Sequence, residues 1–196
     1  MVQIKALFEP PVEKLIAQMG SPDNKLALEA ARKLLDKNCY RDGSLRGINL
    51  RGANLRQARL GRANMERAAL QDANLSEAYL GVTNLRGANL RRANLRGANL
   101  REVILNEATL EGANLRSAHV AAAQLHRADL RGVDLQGANL WGANLRDAIL
   151  DGARFDEETT LPDGTRWTPD TDVRRFTDPT HPAFWRSDNP HSPAHR

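Results

Sequence analysis

Few side chains in this sequence have the types and spacing that catalysis or metal binding requires. His119 and His126 lie seven residues apart, which does not match the His-x-x-x-His spacing that places two ligands on one helix face. The other three histidines fall in the Pro- and Asp-rich segment that ends the sequence. Cys39 is the single cysteine, so an intramolecular disulfide or a Cys-based metal site is excluded. We therefore predict no catalytic residues, no metal ligands and no cofactor, and a protein that is not an enzyme.

Arginine is the other residue type whose abundance suggests chemistry, since guanidinium groups bind phosphates. Residues 43–155 contain 16 Arg, no Lys and 10 Asp plus Glu, so this segment is more basic than the whole chain at +4. Glycines such as Gly47 and Gly87 recur with a five-residue period and do not form a phosphate-binding loop. What these arginines do therefore depends on the element that arranges them.

That element is set by a five-residue period. Every fifth residue from Leu45 to Phe155 is large and apolar: 20 of these 23 positions are Leu, and the others are Met65, Val120 and Phe155. Two residues before each of these lies a small residue, which is Ala at 18 of 22 positions. The repeat is therefore Ala-(Asn/Asp)-Leu-x-x.

A period of five fits neither a helix nor a flat sheet. On an α-helix, residues five apart are rotated by roughly 140° and would not form a stripe. In a strand, an odd period would place successive leucines on alternate faces. The pattern instead predicts a solenoid, in which the chain turns once per repeat and stacked coils bury a continuous core.

The repeats resemble those of the pentapeptide repeat family, as in Ala88-Asn89-Leu90-Arg91-Arg92. The segment Leu-Pro-Asp-Gly-Thr-x-Trp at 161–167 also resembles the tails of bacterial, mainly cyanobacterial, members. The resemblance implies an all-β solenoid, a right-handed quadrilateral β-helix in which four repeats make one coil. The run of repeats then gives about six coils.

The flanking segments predict the domain organisation. Val12, Leu15, Ile16 and Met19 have helical spacing, and Ser21 before Pro22 is a candidate N-cap for a second helix. We predict that residues 1–42 form a small N-terminal α-helical cap and residues 43–155 the β-helix. Residues 156–196 are predicted to form an irregular C-terminal tail, partly docked on the solenoid and disordered at its end.

The four sides of the implied coil are unequal. We define the Leu60 side as the outer surface of the repeats stacked at intervals of 20 from Leu60. It carries few charges, and we predict that it binds a protein partner unless the tail covers it. The candidate partner-binding residues are Tyr79, Val82, Arg101, His119, Ala121, Ala122 and Trp141.

Two other functions remain as alternatives to a protein-interaction scaffold. Stacked arginines on two other sides could bind nucleic acid; these candidate basic ladders are Arg51, Arg91, Arg131, Arg56, Arg96 and Arg116. Quinolone-resistance members of the resembled family act on DNA gyrase through an acidic, DNA-like rod, and the basic charge of this chain disfavours that role. We expect a monomer without a membrane span, located in the cytoplasm.

Overall fold

The computed structural model describes residues 10–195. Residues 1–9 of the predicted cap, and Arg196 at the end of the predicted tail, lie outside the described residues. The helices are α1 (Val12–Met19), α2 (Asn24–Asp36) and the one-turn α3 (Arg174–Thr177). Within the described part of the chain, no helix has the length and apolar character needed to cross a bilayer.

Between α2 and α3 the backbone winds into stacked coils of four repeats each. Parallel bridges join residues 20 apart, beginning with Asn49 and Ala69 and continuing to Asp134 and Arg154. Each repeat contributes a single bridging residue and a two-residue turn instead of a long strand. Hydrogen bonds join successive coils; Leu95, for example, donates its N–H to the Asn114 carbonyl at 2.7 Å.

The interior consists of the two residues of each repeat that the sequence pattern placed inside. Leu50, Leu95 and Leu140 are at most 1 % exposed, as are the alanines two residues before most of the leucines. Thr83 replaces one of these alanines, and its hydroxyl donates to the Leu60 carbonyl at 2.8 Å. A polar residue is tolerated there because its hydrogen bond is satisfied inside the tube.

The second residue after each Leu adopts a left-handed backbone conformation in most repeats, which explains the periodic glycines. Gly52 has φ 65° and Gly97 has φ 65°. Val82 occupies the same position with φ 60° and is the only β-branched residue with a positive φ among the described residues. Such a backbone is strained for a branched side chain, by roughly 1–2 kcal/mol.

Asparagines before several of the leucines form a hydrogen-bonded ladder between coils. Asn74 donates its side-chain amide to Asn54 Oδ1 at 3.3 Å, and Asn94 donates to Asn74 Oδ1 at 3.4 Å. The same Oδ1 atoms accept the N–H two residues further along; that of Asn94 accepts from Arg96 at 3.2 Å. These side chains therefore fix both the stacking and the turns.

Helices α1 and α2 pack over the first coil. Asn54 and Asn64 donate their N–H groups to the carbonyls of Ser21 and Tyr40, at 2.9 and 2.6 Å. The Tyr40 hydroxyl contacts the carbonyls of Ala31 and Arg59, at 3.0 Å each. The free Cys39 is buried nearby, and its burial raises the pKa of the thiol.

The prediction of Ser21 as N-cap is wrong. Asp23 caps α2, since its carboxylate accepts the N–H groups of Lys25 and Leu26 at 2.9 and 3.3 Å. Ser21 Oγ instead accepts the Asp23 N–H at 3.0 Å, in the turn before the helix. An aspartate placed one residue after Pro22 has the position that bonds the second and third amides of the helix.

The coils continue one repeat beyond the predicted end at Phe155. Thr160 bridges to Asn139, which is 21 rather than 20 residues away, and Leu161 is buried in the place of the next leucine. The extra residue is accommodated because the Asp156 side chain accepts the Gly137 N–H at 2.8 Å, where a backbone carbonyl would otherwise lie. The five-residue count therefore changes to six at a position that the sequence pattern did not mark.

The tail beyond Leu161 packs mainly against the end of the rod. Trp167 stacks on Phe155, with ring centroids 6.1 Å apart, and Phe176 meets Trp185 edge to face at 5.9 Å. Residues 187–195, where the sequence favours disorder, fold back along one corner of the β-helix. Asn144 donates its side-chain amide to the Pro193 carbonyl at 2.7 Å.

Candidate functional site

The lower part of the Leu60 side is flat because Tyr79 lies along it. A Cβ atom on Gly61 would be 2.2 Å from Tyr79 Cε1, and one on Gly81 would be 3.0 Å from its hydroxyl. The two glycines therefore leave the space that the ring occupies. Tyr79 is 48 % exposed and offers one ring face to the surroundings.

The middle of the Leu60 side forms a low step, which is the turn after Val120 that carries only the small side chains of Ala121 and Ala122. His119 is exposed there, whereas Ala121 is 5 % exposed and Ala122 is half-buried. Ala121 is therefore not an accessible contact residue, because its methyl group lies between the larger side chains of the repeats above and below. The step is bounded by Arg101 and Trp141, which are exposed.

Trp141 is the most exposed large apolar side chain of the described residues, at 58 %. The tail approaches it but does not cover it; a Cβ on Gly164 would be 3.3 Å from Trp141 Cδ1. The aromatic residues of the tail pack on Phe155 and on one another instead. The indole therefore remains available at the surface.

A groove of about 950 Å³ runs along the corner between the Leu60 side and the next side of the coil. Four of the predicted partner-binding residues line it, namely Val82, Arg101, Ala122 and Trp141. Tyr79 and His119 lie on the same side but outside the groove. Its other wall is formed by Ile104, Gln124 and the tail segment from Trp185 to Pro193. We call this cavity the corner groove.

Charges in the corner groove are partly compensated. Asp163 binds Arg175 through its carboxylate, and Arg146 lies 3.7 Å from Asp147. Arg101 has no carboxylate within 4 Å among residues 10–195. It is therefore the available cation of the groove.

Most of the predicted basic ladders are ion-paired. Arg56 pairs with Glu77 at 2.9 Å, Arg91 with Glu111 at 2.8 Å, Arg116 with Asp134 at 3.5 Å and Arg131 with Asp129 at 2.6 Å. Only Arg51 and Arg96 of the six lack such a partner in the described structure. Hydrogen bonds from Gln57 and Arg56 lower the pKa of Glu77, and one from Arg131 lowers that of Asp129. These carboxylates therefore stay ionised and neutralise the ladders.

No arrangement suited to a metal ion occurs in the described chain. Among residues 10–195, no group of three or more His, Cys, Asp and Glu side chains has a geometry that could hold one. His126 donates from Nδ1 to the Arg146 carbonyl, 3.0 Å away, and His181 contacts Asp172 at 3.3 Å. These histidines are engaged in local contacts on separate parts of the surface.

The sequence missed the residues that form the far wall of the groove. Ile104 is an apolar residue at a position that is most often Asn, and this exception was the one sequence feature that could have indicated an apolar wall here. Val82 and Ile104 belong to adjacent sides of the coil, and both line the groove at the corner between those sides. Nothing in the sequence pattern indicated that Trp185 and Pro193 would reach this corner.

The comparisons with known proteins agree with this geometry. A family model described as pentapeptide repeats matches residues 44–81, 83–119 and 123–157 in eight copies, which is more than half of the chain. The chain belongs to the pentapeptide repeat family. Members form right-handed quadrilateral β-helices, and the 20-residue spacing of the bridges corresponds to four repeats per coil of that fold.

Solved structures similar to this pentapeptide repeat protein include two from cyanobacteria. Rfr23 from Cyanothece 51142 is 33 % identical, with 64 % of this chain and 97 % of that chain covered and a TM-score of 0.49. The protein alr5209 from Nostoc PCC 7120 is 31 % identical, with 52 % and 79 % covered and a TM-score of 0.35.

QnrB1 is a third similar structure. Full-length QnrB1, described as a plasmid-mediated fluoroquinolone resistance protein, is 17 % identical, with 56 % of this chain and 78 % of that chain covered and a TM-score of 0.20. A comparison with curated proteins found no match.

Proposed function

We propose that this pentapeptide repeat protein is a non-enzymatic scaffold that binds a protein partner through the Leu60 side. The observation that carries the proposal is the exposure of Trp141, at 58 %, on a backbone held by hydrogen bonds between coils. Exposed tryptophans on rigid elements are frequent energetic centres of protein interfaces. Tyr79 and Val82, at 48 % and 44 % exposed, extend the apolar surface towards the N-terminal end of the rod.

The strained backbone of Val82 supports the same location. Most other repeats have Gly, a polar or a charged residue where Val82 has φ 60°. A branched side chain in this conformation destabilises the fold, and such costs occur most often where the side chain has a function. Val82 points its exposed side chain into the corner groove, beside Arg101.

The pairing of the arginines weighs against nucleic-acid binding, since phosphates would have to displace carboxylates from Arg56, Arg91, Arg116 and Arg131. The basic charge of +4 weighs against DNA mimicry of the gyrase-binding type. The regular bridge spacing from Asn49 to Arg154 leaves no inserted loop between these coils. A protein partner is therefore the function that these surfaces favour.

The parts of the chain outside the repeats have supporting roles in this proposal. Helices α1 and α2 close the N-terminal end of the tube, which would otherwise expose apolar residues and unpaired backbone groups. Trp167 closes the other end by stacking on Phe155. Because both ends are covered, we propose that the protein acts as a monomeric rod and that its sides are the binding surfaces.

Trp141→Ala tests the proposal. We expect capture of partner proteins from a native lysate on the immobilised variant, followed by titration of the purified partner, to show a loss of affinity of about tenfold or more, because the indole is the largest exposed apolar group. Ile149→Ala is the matched control, since Ile149 is 44 % exposed on another side. Melting temperatures of both variants should stay close to that of the wild type. Equal capture by wild type and Trp141→Ala would contradict the proposal.

Val82→Gly separates stability from binding. We expect this variant to gain about 0.5–1 kcal/mol in the free energy of unfolding, because relief of the left-handed strain exceeds the added entropy of glycine in the unfolded chain. It should also bind the captured partner more weakly than the wild type. Chemical denaturation and the same partner titration measure the two effects. A loss of stability would show that Val82 contributes packing instead of interaction.

A further inference from the structure

We propose that residues 187–195 form a detachable strap that covers the C-terminal end of the corner groove beside Trp141, and that the partner binds only when this strap is displaced. The inference rests on the proposed function and adds the regulation of the same site. We call residues 187–195 the strap. The observations behind the inference are the contacts of the strap with the rod, its internal hydrogen bonds, its hinge and its distance from Trp141.

The strap is attached to the rod by few contacts. Two hydrogen bonds join them in the described structure, from the Asn144 side-chain amide to the Pro193 carbonyl at 2.7 Å and from the Ser192 hydroxyl to the Gly142 carbonyl at 3.4 Å. The strap contains no large apolar side chain, and of its residues only Ala194 is buried, at 6 % exposed. Segments with so few buried apolar contacts open locally, at a small fraction of the free energy that unfolds the whole protein.

The internal structure of the strap depends on this docking. The Ser187 N–H donates to the Ala194 carbonyl at 3.0 Å, and His195 Nδ1 donates to the Ser187 carbonyl at 2.7 Å, which closes the segment into a loop. Inside the loop, the Ser192 N–H donates to the Asn189 carbonyl at 2.9 Å. A short loop without an apolar core does not offset the conformational entropy that is lost when it is ordered. Undocking from the rod and loss of the loop are therefore one step, and the amides of the loop report on it.

The chain before the strap stays in place when the strap opens. Trp185 meets Phe176 edge to face at 5.9 Å between ring centroids, and Phe176 is 3 % exposed. The Asp147 N–H donates to the Thr177 carbonyl at 2.7 Å, so this part of the tail is bonded to the last coils of the rod. Arg186 is exposed and lies between the packed Trp185 and the strap. The hinge is therefore at Arg186.

A partner centred on Trp141 overlaps the strap. Interfaces of ordinary size cover about 800 Å² of each protein, which is a patch of roughly 16 Å radius. Gly142 and Asn144, which hold the strap, are one and three residues from Trp141, within about 10 Å of it along the chain. Interface centres are rich in aromatic and apolar groups, and the strap has no large apolar side chain to contribute. We therefore expect a partner to displace the strap instead of binding on top of it.

Amide hydrogen exchange on the full chain tests whether the strap opens by itself. In the wild type we expect the amides of Ser187 and His195 to be protected about tenfold, and that of Leu95 at least about a thousandfold more. Ala194→Lys should reduce the protection in the strap to nearly none, because a long charged side chain does not fit the buried site of a methyl group. Ala183→Lys is the matched control, since it adds the same charge at an exposed position of the tail outside the strap. Strap amides as well protected as that of Leu95 would overturn the inference.

Titration with the partner purified by capture tests whether the strap competes with it. When a partner binds only the open form, its apparent dissociation constant is the intrinsic constant divided by the open fraction. The affinity gain of Ala194→Lys over the wild type should therefore equal one plus the protection factor of the wild-type strap, or about tenfold, whereas Ala183→Lys should show no gain. Binding of the partner to the wild type should also abolish the protection of the Ser187 amide. Increased protection on binding would show that the strap is part of the interface and would overturn the inference.

Failure of this inference can be distinguished from failure of the proposed function. If a partner is captured through Trp141 and binds the wild type and Ala194→Lys equally, the strap has no inhibitory role and the scaffold function stands. If the strap exchanges as expected but no protein is captured through Trp141, the scaffold function fails and the competition with a partner fails with it, while the separate opening of the strap is confirmed.

Discussion

Leu95→Asp is expected to yield no soluble folded protein. Leu95 is fully buried at mid-rod, and the leucines 20 residues before and after it lie directly below and above it. The change loses about 1.5–3 kcal/mol of apolar transfer free energy and places an unpaired carboxylate in a dry tube, which costs several kcal/mol more. A typical domain has a free energy of unfolding of about 5–15 kcal/mol, and the loss at one position alone does not exceed that range. Each coil packs on its neighbours, so a disrupted coil at Leu95 also disrupts the coils on either side, and the total loss then exceeds the stability of the fold.

Two matched variants make this result interpretable. Leu95→Ala leaves a cavity without a charge and should remain foldable, with a loss of about 2–5 kcal/mol in the free energy of unfolding. Arg96→Asp introduces the same carboxylate one residue away, on the outer surface, and should remain soluble. Soluble fraction, circular dichroism and size-exclusion chromatography compare the three. A soluble Leu95→Asp protein with the wild-type spectrum would mean that the interior is not dry.

The regular part of the fold was predictable because its information is repeated at every coil. Each Leu and each Ala of the repeat indicates a buried position in the same interior, so individual exceptions such as Thr83 do not change the prediction of a solenoid. Singular features had no such redundancy. Whether Ser21 or Asp23 caps α2 depends on a shift of two residues, and the six-residue spacing before Leu161 depends on a single hydrogen bond from the Gly137 N–H to the Asp156 side chain.

The candidate site was predictable only in part. Sorting residues by intervals of 20 found Tyr79, Val82 and Trp141 on one side, because that arithmetic follows directly from the coil. It did not show that Ala121 is buried between taller neighbours. It also could not place Trp185 in the same groove, since the path of the tail is set by aromatic packing at the rod end, which has no period.

The distribution of ion pairs supports the proposed binding surface. On the other sides, guanidinium groups such as those of Arg56 and Arg91 are paired with carboxylates from the next coil, and such surfaces interact well with water. On the Leu60 side, Arg101 is unpaired and Trp141 is exposed. A partner can bury the exposed indole and supply a counter-charge to the unpaired cation, and both changes favour binding. We therefore assign partner binding to this side.

Asp156→Ala should destabilise the C-terminal end of the rod. The carboxylate accepts hydrogen bonds from the N–H groups of Gly137 and Glu158, at 2.8 and 3.1 Å, and from the Thr159 hydroxyl at 3.0 Å. Hydrogen bonds to a charged acceptor contribute about 1.5–3 kcal/mol, so we expect a loss of about 2 kcal/mol in urea denaturation at neutral pH. Asp156→Asn keeps an acceptor oxygen and should lose less.

The dependence of this loss on pH identifies its cause. Burial alone would raise the pKa of Asp156, but the hydrogen bonds from Gly137, Thr159 and Glu158 outweigh it and lower the pKa below its usual value. A lowered folded pKa stabilises the protein above the unfolded pKa of about 4, and this contribution disappears as the pH falls through the folded pKa. The difference in stability between wild type and Asp156→Ala should therefore shrink below about pH 4. Asp151→Ala, at an exposed neighbouring position, is the control and should change the stability little at neutral pH. A pH-independent loss for Asp156→Ala would assign the effect to packing instead of charge.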